Sequence, residues 1–273
     1  MRLGLIGNGA IAQTLLSGLA AEGAPGFASI VCLARAENQS RAAALIESHA
    51  GLTANRQVVT TIEAFIASGI SLAVECAGQP ALREFGERIL AAGIDLVPAS
   101  IGAFADDALH DRLVRVAETS GARLILPAGA VGGLDILGAA KLSGIQSLLY
   151  TSRKPPVAWR GTAAEQLIDL GKLTQETVFY EGTARAAARD YPKNANVAAA
   201  VALAGLGFDR TQVRLIADPF AERNVHEISL QSSCANMTMR IEGLASAQNP
   251  QTSLTTGFSI ARVVLNQIVH EVI

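Results

Sequence analysis

The chain has 273 residues, and half of them are hydrophobic, so it can bury a sizeable core and is not a disordered polymer. Its formal net charge is −2 and aromatics make up 4%, which argues against blanket electrostatic binding to nucleic acid and against platforms for stacked bases. Mean hydropathy is +0.32, yet the best candidate span, residues 195–208, is too short and too rich in Ala and Gly to cross a membrane.

The segment Met1 to Gly7 runs straight into a glycine loop and does not read as a signal peptide. Cys32, Cys76 and Cys234 stand at irregular spacing, which makes neither a disulfide framework nor a zinc motif, and no metal site is expected. Each cysteine is read as a small packed hydrophobe. The composition describes a soluble, cytoplasmic α/β protein.

In chain order, Leu3–Ile6 reads as a strand and Ile11–Ala21 as the helix after it. Strands follow at Ile30–Leu33, Val58–Val59, Leu72–Glu75, Ile94–Val97 and Leu124–Leu126. Helices alternate with them near residues 41–48, 62–67, 81–91 and 105–118. Continuous apolar strands alternating with helices predict a parallel sheet covered on both faces. Six such strands predict a doubly wound, Rossmann-type dinucleotide-binding domain over residues 1–127.

After Pro127 the pattern changes. Strands are predicted at residues 147–152, 177–181, 213–216, 225–230 and 236–241, with an apolar helix near 195–206. In the last strand Met237, Met239 and Ile241 alternate with Thr238, Arg240 and Glu242, so one face is solvated. A second α+β domain with a mixed or antiparallel sheet is therefore expected over residues 128–242. A final helix near 259–269 is expected to bring residues 243–273 back onto the first domain. The apolar surface of the second sheet predicts a homo-oligomer.

The strongest local motif is Gly7-Asn8-Gly9-Ala10-Ile11-Ala12, a G-x-G-x-x-A between a strand and a helix. Gly7 permits the turn, Gly9 lets backbone approach a pyrophosphate, and Ala10 and Ile11 open a helix whose free N–H groups attract phosphate. The second strand ends Leu33-Ala34-Arg35 without the acid that grips a ribose hydroxyl. Arg35 can instead pair with the 2′-phosphate of NADP, so NAD or NADP is the expected cofactor. Ala77, after Glu75-Cys76, is small enough to let the nicotinamide ribose approach, and Ser100 at the same sheet edge is expected to face a substrate.

Of the four histidines, His49, His110 and His270 read as solvated helix residues. His226 shares a strand face with Ile228 and Leu230, which fits either a satisfied core residue or a residue lining a cleft. The segment 191–199 reads as a helix start capped by Asn194, with Lys193 beside it.

Taken together, the glycine loop, Glu75-Cys76-Ala77-Gly78, residues 127–135, residues 192–199 and Asn224-Val225-His226-Glu227-Ile228 resemble the L-aspartate dehydrogenases linked to NAD biosynthesis. The resemblance covers nearly the whole chain. It implies NAD(P)-dependent oxidation of L-aspartate to iminoaspartate, followed by hydrolysis to oxaloacetate and ammonia. It implies His226 as the active-site residue and cofactor contacts at Ala130 and Asn196. Such a histidine, at an ordinary pKa of about 6.5, would serve as base for the amine and as proton shuttle for water. Lys193 is a candidate for a substrate carboxylate. A homoserine-dehydrogenase-like enzyme and a non-catalytic NAD(P)H sensor are the competing readings.

Overall fold

The computed structural model describes residues 1–23, 26–246 and 249–272. The chain divides into two compact units, residues 1–127 with 256–273, and residues 128–255.

The first unit alternates β1 (Arg2–Ile6), α1 (Ala10–Ala21), β2 (Ser29–Leu33), α2 (Gln39–Glu47), β3 (Arg56–Val59), α3 (Ile62–Ala67), β4 (Leu72–Glu75), α4 (Gln79–Ala91), β5 (Asp95–Pro98) and α5 (Asp107–Ser120). The strands form one parallel sheet in the order β3-β2-β1-β4-β5. That order reverses beside β1, so the carboxyl ends of β1 and β4 flank the crevice where such sheets bind ligands. The apolar runs are buried because helices cover both faces.

The sixth apolar run does not become a strand. Leu124 makes one parallel bridge to Leu96, and the sheet stops at five strands. Pro127 has no N–H to give a ladder, and the chain leaves the sheet there.

The second unit contains α6 (Leu134–Ser143), β6 (Ile145–Lys154), α7 (Ala164–Leu167), β7 (Thr177–Thr183), α8 (Ala184–Asp190), α9 (Ala195–Ala204), β8 (Gln212–Ala217), β9 (Asn224–Ser232), β10 (Asn236–Gly243), β11 (Ala245–Ser246) and β12 (Asn249–Ser253). Its main sheet runs β10-β9-β6-β8-β7, with β6 and β8 parallel and the other pairs antiparallel. Register puts Ser152 opposite His226, and His226 opposite Ile241. Leu148, Tyr150, Ser152 and Lys154 therefore share a sheet face with His226, Ile228 and Leu230. Met237, Met239 and Ile241 extend that face across β10.

The last helix, α10 (Leu254–Leu265), begins a turn earlier than expected, where Ser253, Thr255 and Thr256 supply polar starting residues. Residues 243–255 stay with the second unit, so the return begins at Thr256. Within the first unit α10 packs on α1. A Cβ at Gly257 would fall 2.5 Å from the Thr14 Cβ, and one at Gly18 would fall 3.0 Å from the Phe258 ring. Glycine at both positions sets how closely the helices approach. Gly257→Val is expected to lower stability by about 1–3 kcal/mol through overpacking, read as a lower urea midpoint with an unchanged slope.

Candidate active site

In the first unit a cleft of about 560 Å³ opens at the carboxyl end of the sheet. Gly7, Gly9, Arg35 and Ala77 line it, together with Asn8, Pro80 and others from the same edge. Gly7 has φ +94°, a conformation that favours glycine. A Cβ there would lie 3.0 Å from that of Ala77, whereas one at Gly9 would meet nothing within 4 Å. The turn is thus closed on the Ala77 side and open where a ligand would lie.

Ala10 and Ile11 begin α1 directly after this turn, and no acidic residue occupies its first turn. The unpaired N–H groups there keep their full attraction for an anion. Arg35 is exposed at the rim. These features fit a dinucleotide, with room for its pyrophosphate on backbone N–H groups.

The wall opposite Gly7 is held from beneath by a buried carboxylate. Glu75 Oε1 accepts from the N–H groups of Ala77 and Gly78, both at 2.7 Å, and from the Ser100 hydroxyl at 3.1 Å. Oε2 accepts from Ser100 N–H at 3.1 Å. Burial pushes the Glu75 pKa up, and these donors pull it down. Ser100 is itself buried, so its hydroxyl is engaged by Glu75.

The second unit gathers a separate cluster. His226 is 5% exposed and Lys154 7%. The Tyr150 hydroxyl lies 2.8 Å from His226 Nδ1. Lys154 Nζ donates to Asn194 Oδ1 and stands 4.9 Å from the centre of the Trp159 ring. Asn194 therefore makes no side-chain cap on α9, which differs from the capping expectation. Burial, aided by the Lys154 charge, lowers His226 from its ordinary value to about 3. Burial also lowers Lys154 to about 8 and pushes Tyr150 above its usual range. The imidazole is thus far less basic than the value of about 6.5 expected from sequence.

Among the other predicted residues, Ala130 is buried in the second unit and Asn196 lies in the first turn of α9. The Lys193 side chain falls outside the described residues. Sequence reasoning missed Tyr150, Lys154 and Glu75. The signal for the first two was alternation, since positions 150, 152 and 154 share a strand face.

Three expectations need correction. His49 is buried rather than solvated, with Nδ1 2.9 Å from the Leu45 carbonyl oxygen and Nε2 3.1 Å from the Ser17 hydroxyl. His270 lies beyond α10, not in a helix. Cys234 is exposed, because it sits in the turn between β9 and β10. Among the described residues no group of three or more His, Cys, Asp or Glu could hold a metal ion, and no helix is long and apolar enough to cross a membrane.

Residues 135–267 match the family model "Aspartate dehydrogenase, C-terminal", and residues 7–127 match "Homoserine dehydrogenase, NAD binding domain". The chain is 38% identical to the L-aspartate dehydrogenase of Ralstonia pickettii over 98% of its own length and 97% of that protein. It is 47% identical to that of Cupriavidus necator over 72% of this chain and 74% of that one. The crystal structure of aspartate dehydrogenase from Thermotoga maritima superposes with a TM-score of 0.77 at 27% identity, covering 100% and 99% of the two chains.

Two outcomes follow from the cleft. Glu75→Gln removes one acceptor oxygen and turns an amide N–H toward Ser100 N–H. It is expected to cost about 2 kcal/mol of stability and to weaken NAD(P)H binding about tenfold as the tie between Ser100 and the Ala77 turn loosens, read by fluorescence titration. Arg35→Ala is expected to raise the KM for NADP while sparing that for NAD. An unchanged KM for NADP means that Arg35 makes no contact with the 2′-phosphate.

Proposed function

The chain belongs to the L-aspartate dehydrogenase family, and from that premise we propose how its residues divide the work. The reaction is the NAD(P)-dependent oxidative deamination of L-aspartate to iminoaspartate, which water converts to oxaloacetate and ammonia. When bound, NAD(P)⁺ supplies the acceptor for the hydride that leaves the aspartate Cα. Gly7, Gly9, Ala10, Ile11 and Ala77 form its cradle, and Arg35 governs the choice between NAD and NADP. Ala130 and Asn196 complete its contacts in this reading. Ser100 acts through Glu75 as a positioning residue.

The observation that carries the catalytic assignment is the buried pair of His226 and Tyr150, 2.8 Å apart. The amine must be neutral before hydride leaves, and imine hydrolysis must move protons to and from water. A hydroxyl can donate or accept, so Tyr150 supports either neutral tautomer of His226. With the phenol donating to Nδ1, Nε2 carries a proton and acts as the acid. With Nδ1–H donating to the phenol oxygen, Nε2 is bare and acts as the base. Burial keeps the ring uncharged in the free protein, so Nε2 is open to take the amine proton, and the imidazolium so formed returns it during imine hydrolysis.

A role in NAD biosynthesis, a cytoplasmic location and assembly into homo-oligomers belong to the same reading.

The test follows NAD(P)H formation at alkaline pH with L-aspartate, homoserine and glutamate in turn. Aspartate is expected to be the substrate, and a preference for homoserine would overturn the reading. His226→Ala is expected to lower kcat by about 10²–10⁴-fold, with the Kd for NAD(P)H unchanged. A near-normal kcat in this variant would remove His226 from the mechanism.

A further inference from the structure

Lys154 has a charge that its surroundings do not balance. Its side chain is buried on the sheet face that carries His226, two positions beyond Ser152, which stands opposite His226 in the ladder. Nζ has an amide oxygen from Asn194 and the face of Trp159 as its neighbours. Both favour a cation, but neither carries a full negative charge. Among the described residues no carboxylate lies within ion-pair distance of Nζ. Asp218, whose N–H bonds the Lys154 carbonyl, directs its carboxylate to Arg153 at 3.2 Å. Tyr150 is held in its neutral phenol form by burial, so it is not the counter-ion. A buried ammonium without an anion is costly, and such a position suits a site whose ligand brings the anion.

We propose that Lys154 is a substrate anchor, its ammonium holding one carboxylate of L-aspartate beside His226. The inference rests on the reading of His226 as the catalytic residue. It also gives the Lys154 ammonium a second effect. A carboxylate on Lys154 offsets the positive charge that depresses His226, so substrate makes the imidazole more basic where a base is needed. A lysine acting instead as the general base would have to be neutral, which reverses the expected dependence on pH.

Succinate is the probe, because it carries two carboxylates with the spacing of aspartate and no amine. Its binding to the NAD(P)H complex of the full chain is measured by calorimetry, a readout independent of turnover. The titratable side chain that feels the Lys154 charge is His226 from β9, and Tyr150 lies four positions earlier on the same face of β6. The first is neutral above about pH 3, and the second titrates above its usual value of 10. Lys154, at about 8, is the group that changes charge in between.

The Kd for succinate is expected to weaken about 30-fold from pH 7 to pH 9.5, following loss of the lysine proton. In Lys154→Arg, which stays charged, binding at pH 7 is retained within about tenfold and the dependence on pH disappears. In Lys154→Met, binding weakens by about 100-fold while the Kd for NAD(P)H is unchanged. Succinate binding that is flat with pH in the unmodified protein, or as tight in Lys154→Met, overturns the anchor. So does a Lys154→Met variant that loses kcat alone, which is the signature of a base. Loss of the anchor by these tests leaves the His226→Ala result standing as a separate question.

Discussion

The hydrogen bond between the Tyr150 hydroxyl and Nδ1 of His226 is the constraint on which the chemistry of the second unit depends. It fixes the ring on a sheet face where Ile228 and Leu230 follow it on β9. A free imidazole on that face would rotate and seek water. Held by a phenol, it stays buried, uncharged and oriented, and burial lowers its pKa to about 3. Keeping Lys154 charged nearby costs on the order of 3 kcal/mol relative to water. The folded chain therefore holds that proton less tightly than the unfolded chain, so stability rises as pH climbs from about 8 toward 10.5. Function accounts for a cost that packing alone would remove.

The first unit solves a different problem with the same device, a buried polar group that is fully partnered. Glu75 closes β4 and ties the chain after β4 to the chain after β5 through Ala77, Gly78 and Ser100. Its carboxylate sets where Ala77 stands against Gly7, and so the width of the cleft. Glycine at position 7 is required twice over, by its positive φ and by the 3.0 Å approach of a Cβ to that of Ala77.

Much of this was legible in sequence, for identifiable reasons. A strand covered on both faces must be apolar throughout, so β1, β2 and β4 stand out as runs. The glycine loop is legible because few backbones need two glycines between a strand and a helix. The face of His226 was readable from period two. Its low pKa was not, because it comes from burial in the folded chain and from the charge of Lys154 on β6. Lys154 was missed because Ser152-Arg153-Lys154-Pro155 reads as a polar strand end. In the folded chain β6 continues through Lys154, and the alternation turns that side chain inward while Arg153 pairs with Asp218. The Leu124–Leu126 run pairs only through Leu124 and Leu96, because the chain leaves the sheet at Pro127.

His226 is a neutral, phenol-held imidazole rather than an ordinary surface histidine. The most direct measurement is nitrogen NMR of the protein with ¹⁵N-labelled histidine, assigned with His226→Gln and titrated from pH 8 to pH 5 without substrate. The His226 signals are expected to keep the shifts of a neutral ring throughout, consistent with a pKa of about 3. Conversion of those signals to imidazolium with a midpoint near 6.5 would contradict it.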